Sequence, residues 1–138
     1  MTPRYPLVPV LLLALAACHA SQKKLLETPA EQAELRAMQS RAFDTTDVEQ
    51  VLRSVIGTLQ DLGFVIDDAN TTLGLISATK LEGGVVRMMV TVKRRGKTQT
   101  AVRASAQQGY RTVVDPETYQ RFFAALAKGM FLTAHDIE

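Results

Sequence analysis

The chain of 138 residues has one cysteine, Cys18, and two histidines, His19 and His135. A lone cysteine excludes an internal disulfide. The histidines lie towards opposite ends of the chain, so no imidazole falls where a folded core would hold a general base. His135 is followed by Asp136, but no nucleophile lies at useful spacing and the pair reads as a solvated terminus. No group of Cys, His, Asp and Glu has metal-ligand spacing. Gly83 and Gly84 precede a strand pattern rather than a helix, which excludes a phosphate-cradling loop. These absences argue for a protein that is not an enzyme. Past Ala17 no apolar run is long enough to cross a bilayer, and there is neither a repeat nor a low-complexity tract.

What is present points to a globular domain. Apolar residues make up 46% of the chain and charged residues 22%, a balance that supports a packed core rather than disorder. The formal net charge is +2, close to neutral. Beyond residue 17 roughly 120 residues remain, enough for one domain and a tether.

Residues 1–6 carry one positive charge, Arg4, and lead into an apolar run from Leu7 to Ala17, interrupted by Pro9. The run is too short for a permanent span and suits the hydrophobic region of a secretory signal. It ends in Leu15-Ala16-Ala17-Cys18, which resembles the bacterial lipoprotein signal. In that signal the cysteine is diacylated and becomes the new amino terminus. The resemblance implies a covalent lipid on Cys18, no other cofactor and no remaining thiol. Acyl chains contribute about 0.8 kcal/mol per buried CH₂, so several give stable membrane attachment. His19 stands where an Asp would retain the protein in the inner membrane. In a two-membrane host this implies the periplasmic face of the outer membrane. The expected organisation is a signal over 1–17, a lipidated terminus and polar tether over 18–37, and a single domain over 38–138. Within the tether, Thr28-Pro29-Ala30-Glu31 can open a short helix reaching Met38.

The domain is organised around residues 60–80. Apolar positions 48, 51, 52, 55, 56, 59 and 62 share one helical face. Thr46 and Glu49 have capping-box spacing, and Gly63 can take the left-handed conformation that stops a helix. Residues 64–66 read as a strand, Asp67 to Thr72 as a turn and 73–79 as a second strand, antiparallel to the first. The turn lacks the oxygen ligands and closing Glu of a calcium loop. A weaker strand is expected near 38–44. After a turn over 80–84, residues 85–95 alternate, with Val86, Met88, Val90 and Val92 on one face and Met89 breaking the pattern. Arg94 to Lys97 forms a tip, and 98–107 returns with Val102, Ala104 and Ala106 inward. Residues 108–114 read as a connection. Asp115, Pro116 and Glu117 open a second amphipathic helix, with Tyr119, Phe122, Phe123, Leu126 and Met130 on one face. Gly129 weakens that helix near its end. The order predicts an α+β fold, a two-layer sandwich resembling a helix grip. An antiparallel sheet of about four to five strands carries two helices on one face and leaves the other polar and open.

Three segments together resemble a family of small proteobacterial outer-membrane lipoproteins. They are Arg41-Ala42-Phe43-Asp44-Thr45, the unit from Leu59 to Lys80, and the ending Tyr119-Gln120-Arg121-Phe122-Phe123 through Met130-Phe131-Leu132-Thr133-Ala134-His135. The likeness covers essentially the whole domain. Between Lys80 and Val85, where some members carry a longer apolar stretch, this chain has only Leu81-Glu82-Gly83-Gly84. A looser similarity is to the repeated domains of BamC (NlpB), the lipoprotein of the outer-membrane β-barrel assembly machine, where a helix ending in L-G-F also precedes a strand, a turn and L-G-L/I. The BamC likeness implies a helix-grip sandwich used for protein contacts, and the expected role is that of a membrane-anchored, non-enzymatic scaffold, assembly or envelope-maintenance factor with an envelope protein partner.

The remaining candidate surface is basic. Lys93, Arg94, Arg95 and Lys97 cluster at the hairpin tip, and Arg87 and Arg103 fall on the same expected wet face. Charge on exposed strands also blocks edge pairing, so a solvated tip and an anion-binding surface are both consistent with it. The binding alternative would engage lipid A phosphates or anionic phospholipid headgroups. Aromatic residues do not interleave with the cations, which argues against nucleic acid.

Overall fold

Thr28 and Glu31 cap each other at the start of the first helix. The Thr28 amide donates to Glu31 Oε2 at 2.8 Å and the Glu31 amide to Thr28 Oγ1 at 3.3 Å, a reciprocal capping box. The structure, a computed structural model, describes residue 3 and residues 28–135, without the side chains of 132–135. Cys18, the expected signal and most of the expected tether lie outside the described residues. The chain divides into two units between Gln32 and Ala33. Among the described residues no helix is long and apolar enough to cross a membrane.

Helix α1 (Pro29–Met38) crosses that division and ends at strand β1 (Ser40–Phe43). Leu35 and Met38 already pack against the core. Packed structure therefore begins ahead of residue 38, because the last turns of α1 carry apolar side chains that the tether reading left in solvent.

Helix α2 (Val48–Asp61) buries Val51, Leu52, Val55, Thr58 and Leu59. Its cap is one residue later than the Thr46–Glu49 spacing suggests. The Asp47 carboxylate accepts from the Gln50 amide at 3.0 Å, and Thr45 Oγ1 accepts from the Asp47 amide at 3.2 Å. A carboxylate in the capping position also meets the positive end of the helix dipole. At the other end Gly63 has φ +87°, the expected stop. The Phe64 amide then returns to the Leu59 carbonyl at 2.9 Å.

Strand β2 (Val65–Asn70) runs through the residues expected to turn, and strand β3 (Leu75–Leu81) starts two residues later than expected. A register shift between Ile66 and Asp68 places a bulge at Asp67, which absorbs the extra polar residue without ending the strand. The turn lies at 71–74, where Asn70 Oδ1 accepts from the Leu73 amide at 2.9 Å. Gly74 is buried at φ +66°, and a Cβ there would overlap the Val92 carbonyl oxygen.

Strands β4 (Val85–Arg95) and β5 (Gln99–Gln108) form the long hairpin, with the turn at 96–98 rather than 94–97. The expected connection contains a short strand β6 (Arg111–Thr112). Helix α3 (Pro116–His135) passes through Gly129 without ending. A Cβ at Gly129 would have Thr58 Oγ1 of α2 as its nearest neighbour, 3.8 Å away.

The sheet is antiparallel and six-stranded, in the order β1-β5-β4-β3-β2, with β6 also paired to β5. It is an α+β fold in which α2 and α3 supply the large side chains of one buried layer. Tyr119, Phe122, Phe123 and Leu126 of α3 and Leu59 of α2 share the core with Ile76, Ala78, Met88, Val90, Val92, Val102, Ala104 and Ala106 of the sheet. Burying each large side chain contributes about 1.5–3 kcal/mol. The even-numbered residues of β4 and β5 point into this layer, so their odd-numbered neighbours lie on the other face.

Candidate contact surface

That other face has no buried residue in β1 to β5. The register lays its side chains out in rows. Ser40, Arg103, Thr91, Leu75 and Asn70 form one row from β1 to β2. Ser105, Met89, Ser77 and Asp68 form the next, and Gln107, Arg87, Thr79 and Val65 the one after. Leu81 and Val85 are paired at that end of the sheet.

Four of the six candidate cations meet on this face: Arg87, Lys93 and Arg95 on β4 and Arg103 on β5. Arg94 does not join them. It pairs with Thr100, which is fully buried, and so belongs to the helix-covered side of the sheet end. Lys97 sits in the tip turn. The reason for the split is strand alternation, which separates neighbours that look clustered in sequence. The ion pairs among the described residues are Arg53–Glu49, Lys80–Glu82 and Arg121–Glu117, so none of the six candidate cations is neutralised by a described carboxylate.

The surroundings of these cations are less uniformly basic than the local sequence implies. Between Glu82 and Gln108 the only acid is Glu82 itself, but folding brings in others. Asp68 lies across from Ser77 on the open face. Asp67 accepts from Thr79 Oγ1 at 2.6 Å, and Thr79 is also on that face. A bulge sets two consecutive side chains on one side of a strand, and here it turns two carboxylates outward. Asp44 reaches the tip end of the hairpin, where its Oδ1 accepts from Nε2 of Gln99, the partner of Arg95, at 2.8 Å. The open face thus has an acidic strip on edge strand β2 and a basic strip on β4 and β5, with β3 between. It also has apolar side chains in solvent. Val65 is 71% exposed, Leu81 81%, Val85 47% and Met89 44%. Met89, which breaks the alternation of its strand in sequence, sits here among polar neighbours.

A second feature lies on the helix side. A cleft of about 180 Å³ is lined by Leu62, Phe64, Lys80, Glu82, Val86, Met88, Thr118, Arg121 and Phe122. Its lining includes apolar side chains, the Lys80–Glu82 pair and Arg121, whose guanidinium is paired with Glu117 one turn earlier in α3. Hydrogen bonding and attraction by the Lys80 ammonium hold the Glu82 carboxyl below the usual glutamate range, and Arg121 adds to the effect. Lys80 Nζ also lies 5.8 Å from the centre of the Phe64 ring.

Sequence reasoning missed the roles of Asp67, Asp68 and Lys80. Asp67 and Asp68 looked like turn formers, and the only available signal was that two adjacent acids precede Asn70, which alone suffices for the turn. Protein-family models and curated proteins were compared with the chain, and none matches it.

Proposed function

We propose that this protein is a membrane-anchored periplasmic lipoprotein, held at the outer membrane through lipid on Cys18. It acts as a non-enzymatic scaffold, assembly or envelope-maintenance factor through protein contacts on its open sheet face. The observation that carries this reading is that face itself. It has a complete set of strands, no buried residue in β1 to β5, cations without described ion-pair partners, two outward carboxylates and four exposed apolar side chains. Mixed polar and apolar character is what protein contact surfaces have. The anchor rests on Leu15-Ala16-Ala17-Cys18 and its resemblance to the lipoprotein signal.

A second reading, favoured by Arg87, Lys93, Arg95 and Arg103, is binding of anionic envelope ligands such as lipid A or phospholipid headgroups. Asp67 and Asp68 weigh against it, since a uniformly anionic surface would repel that side of the face.

Two experiments test the proposal. Cys18→Ser abolishes palmitate labelling and releases the protein from membranes, whereas normal labelling of the variant refutes the anchor. A photoreactive residue at position 91, in the full chain in its own membranes, forms adducts with protein. Adducts with lipopolysaccharide or phospholipid alone would support the second reading instead.

A further inference from the structure

We propose that the partner of the open sheet face is the same face of a second copy of this chain, related by a two-fold axis. This rests on the reading of that face as a protein contact surface. A two-fold interface must be complementary to itself. A purely basic face would repel its own copy. This face instead has carboxylates on β2 and guanidinium groups on β4 and β5, with β3 running between the strips.

The register says how two such faces would match. Place a two-fold axis between the stacked sheets, parallel to the strands and over β3. Each β2 then lies above β4 of the second copy. Asp68 shares a row with Ser77 and Met89, so it comes to lie over Met89 of the second copy, one row from that copy's Arg87. Asp67 sits in the bulge between this row and the one holding Arg87. Stacked sheets lie about 10 Å apart, a gap that an aspartate and an arginine can close from opposite sides. The axis itself passes over Ser77 and Thr79, which are small enough to permit that approach. Leu75 and the exposed Leu81 each come near their own copies.

Size sets the expected strength. With the axis over β3 only β2, β3 and β4 of each copy face each other, and three strands at about 4.8 Å spacing and roughly seven residues of length give a footprint of about 350 Å² per copy, well below the roughly 800 Å² per partner of standard interfaces. The pair is therefore weak in dilute solution and depends on both copies being held on one membrane, where tethering raises their effective concentration. Its ion pairs lie near solvent, so salt weakens it.

The test uses the full chain in its own membranes, expressed with two different tags. A photoreactive residue at position 77 is expected to give an adduct of two chains bearing both tags. Asp68→Lys alone and Arg87→Glu alone are each expected to lower that adduct by more than about tenfold, because each sets like charges face to face. Both positions are exposed, so folding is retained. Co-expression of the two variants is expected to restore the adduct, since Lys at 68 of one copy then meets Glu at 87 of the other. A two-tag adduct that both variants leave unchanged overturns this pairing. An adduct with a different protein overturns the second copy while leaving the face a contact surface. No adduct at all overturns both.

Discussion

Removing one oxygen atom should destabilise this fold by a substantial fraction of its total stability. The atom is the Tyr119 hydroxyl. Strand β1 pairs with residues 100–103 of β5 and β6 pairs with residues 107–108, which leaves a gap along the β5 edge. The Tyr119 side chain, fully buried, fills it from α3. Its hydroxyl donates to the Val113 carbonyl at 2.6 Å and accepts from the Ala106 amide at 3.3 Å and from Gln39 Nε2 at 3.2 Å. Gln39 is itself buried, and its carbonyl accepts from the Ala104 amide at 2.8 Å. Tyr119→Phe keeps the ring and its packing and deletes only these bonds. The stranded Ala106 amide costs about 1–3 kcal/mol, and each lost bond to a group that finds another partner about 0.5–1 kcal/mol. The expected loss is about 2–5 kcal/mol, against a total of roughly 5–15 kcal/mol for a domain of this size. Urea unfolding followed by circular dichroism should show the midpoint falling by about 1–3 M at an unchanged slope, for a slope of roughly 1.5 kcal/mol per molar. A loss below about 0.5 kcal/mol would refute the reasoning, because water or a relaxed strand edge would then be satisfying the same groups.

The remaining predictions concern the turns and the cleft rim. Gly74→Ala and Gly96→Ala both place a side chain at positive φ, at +66° and +61° respectively, but only at Gly74 does the new atom meet the Val92 carbonyl. Gly74→Ala should therefore cost at least about 1 kcal/mol more than Gly96→Ala in urea unfolding, and equal costs would mean that β3 and β4 shift apart easily at that end. Gly63→Val should destabilise by more than about 1 kcal/mol, since a β-branched residue resists the conformation that stops α2; an unchanged melting temperature would show the helix ending another way. Glu82 titrates below the ordinary glutamate range because Lys80 favours its ionised form. Its contribution to stability is present above the ordinary value and is lost as pH falls through the lowered one. Carboxyl NMR should show the Glu82 midpoint moving upward in Lys80→Gln, and coincident titrations would remove Lys80 as the cause.

Much of the fold was legible because it is encoded by periodicity. The 3.6-residue spacing from Val48 to Leu62 and the alternation of Val86, Met88, Val90 and Val92 each follow from burying one face of one element, and no distant residue is needed to read them. Gly63 was legible because few residues other than glycine accept its φ. Capping was harder to place, since Thr45, Thr46 and Asp47 are all competent and hydrogen-bond geometry alone selects Asp47. Turn chemistry misled at Asp67 and Asp68. Polar residues favour turns on average, but β2 is an edge strand, and an edge tolerates outward charge and a bulge.

The sequence by itself determined the inward set of each strand, the apolar faces of α2 and α3 and the absence of disulfide-forming cysteines, since each depends on local spacing or simple inventory. Only the tertiary structure decided which charges share a surface. Alternation took Arg94 away from Lys93 and Arg95, strand order brought Asp67 and Asp68 onto the face of Arg87, and the gap beside β5 set the Tyr119 hydroxyl among three partners from three segments. The physical reason is that pairing register joins residues far apart in the chain, and a one-residue bulge, which no local pattern announces, determines which side of the sheet they reach.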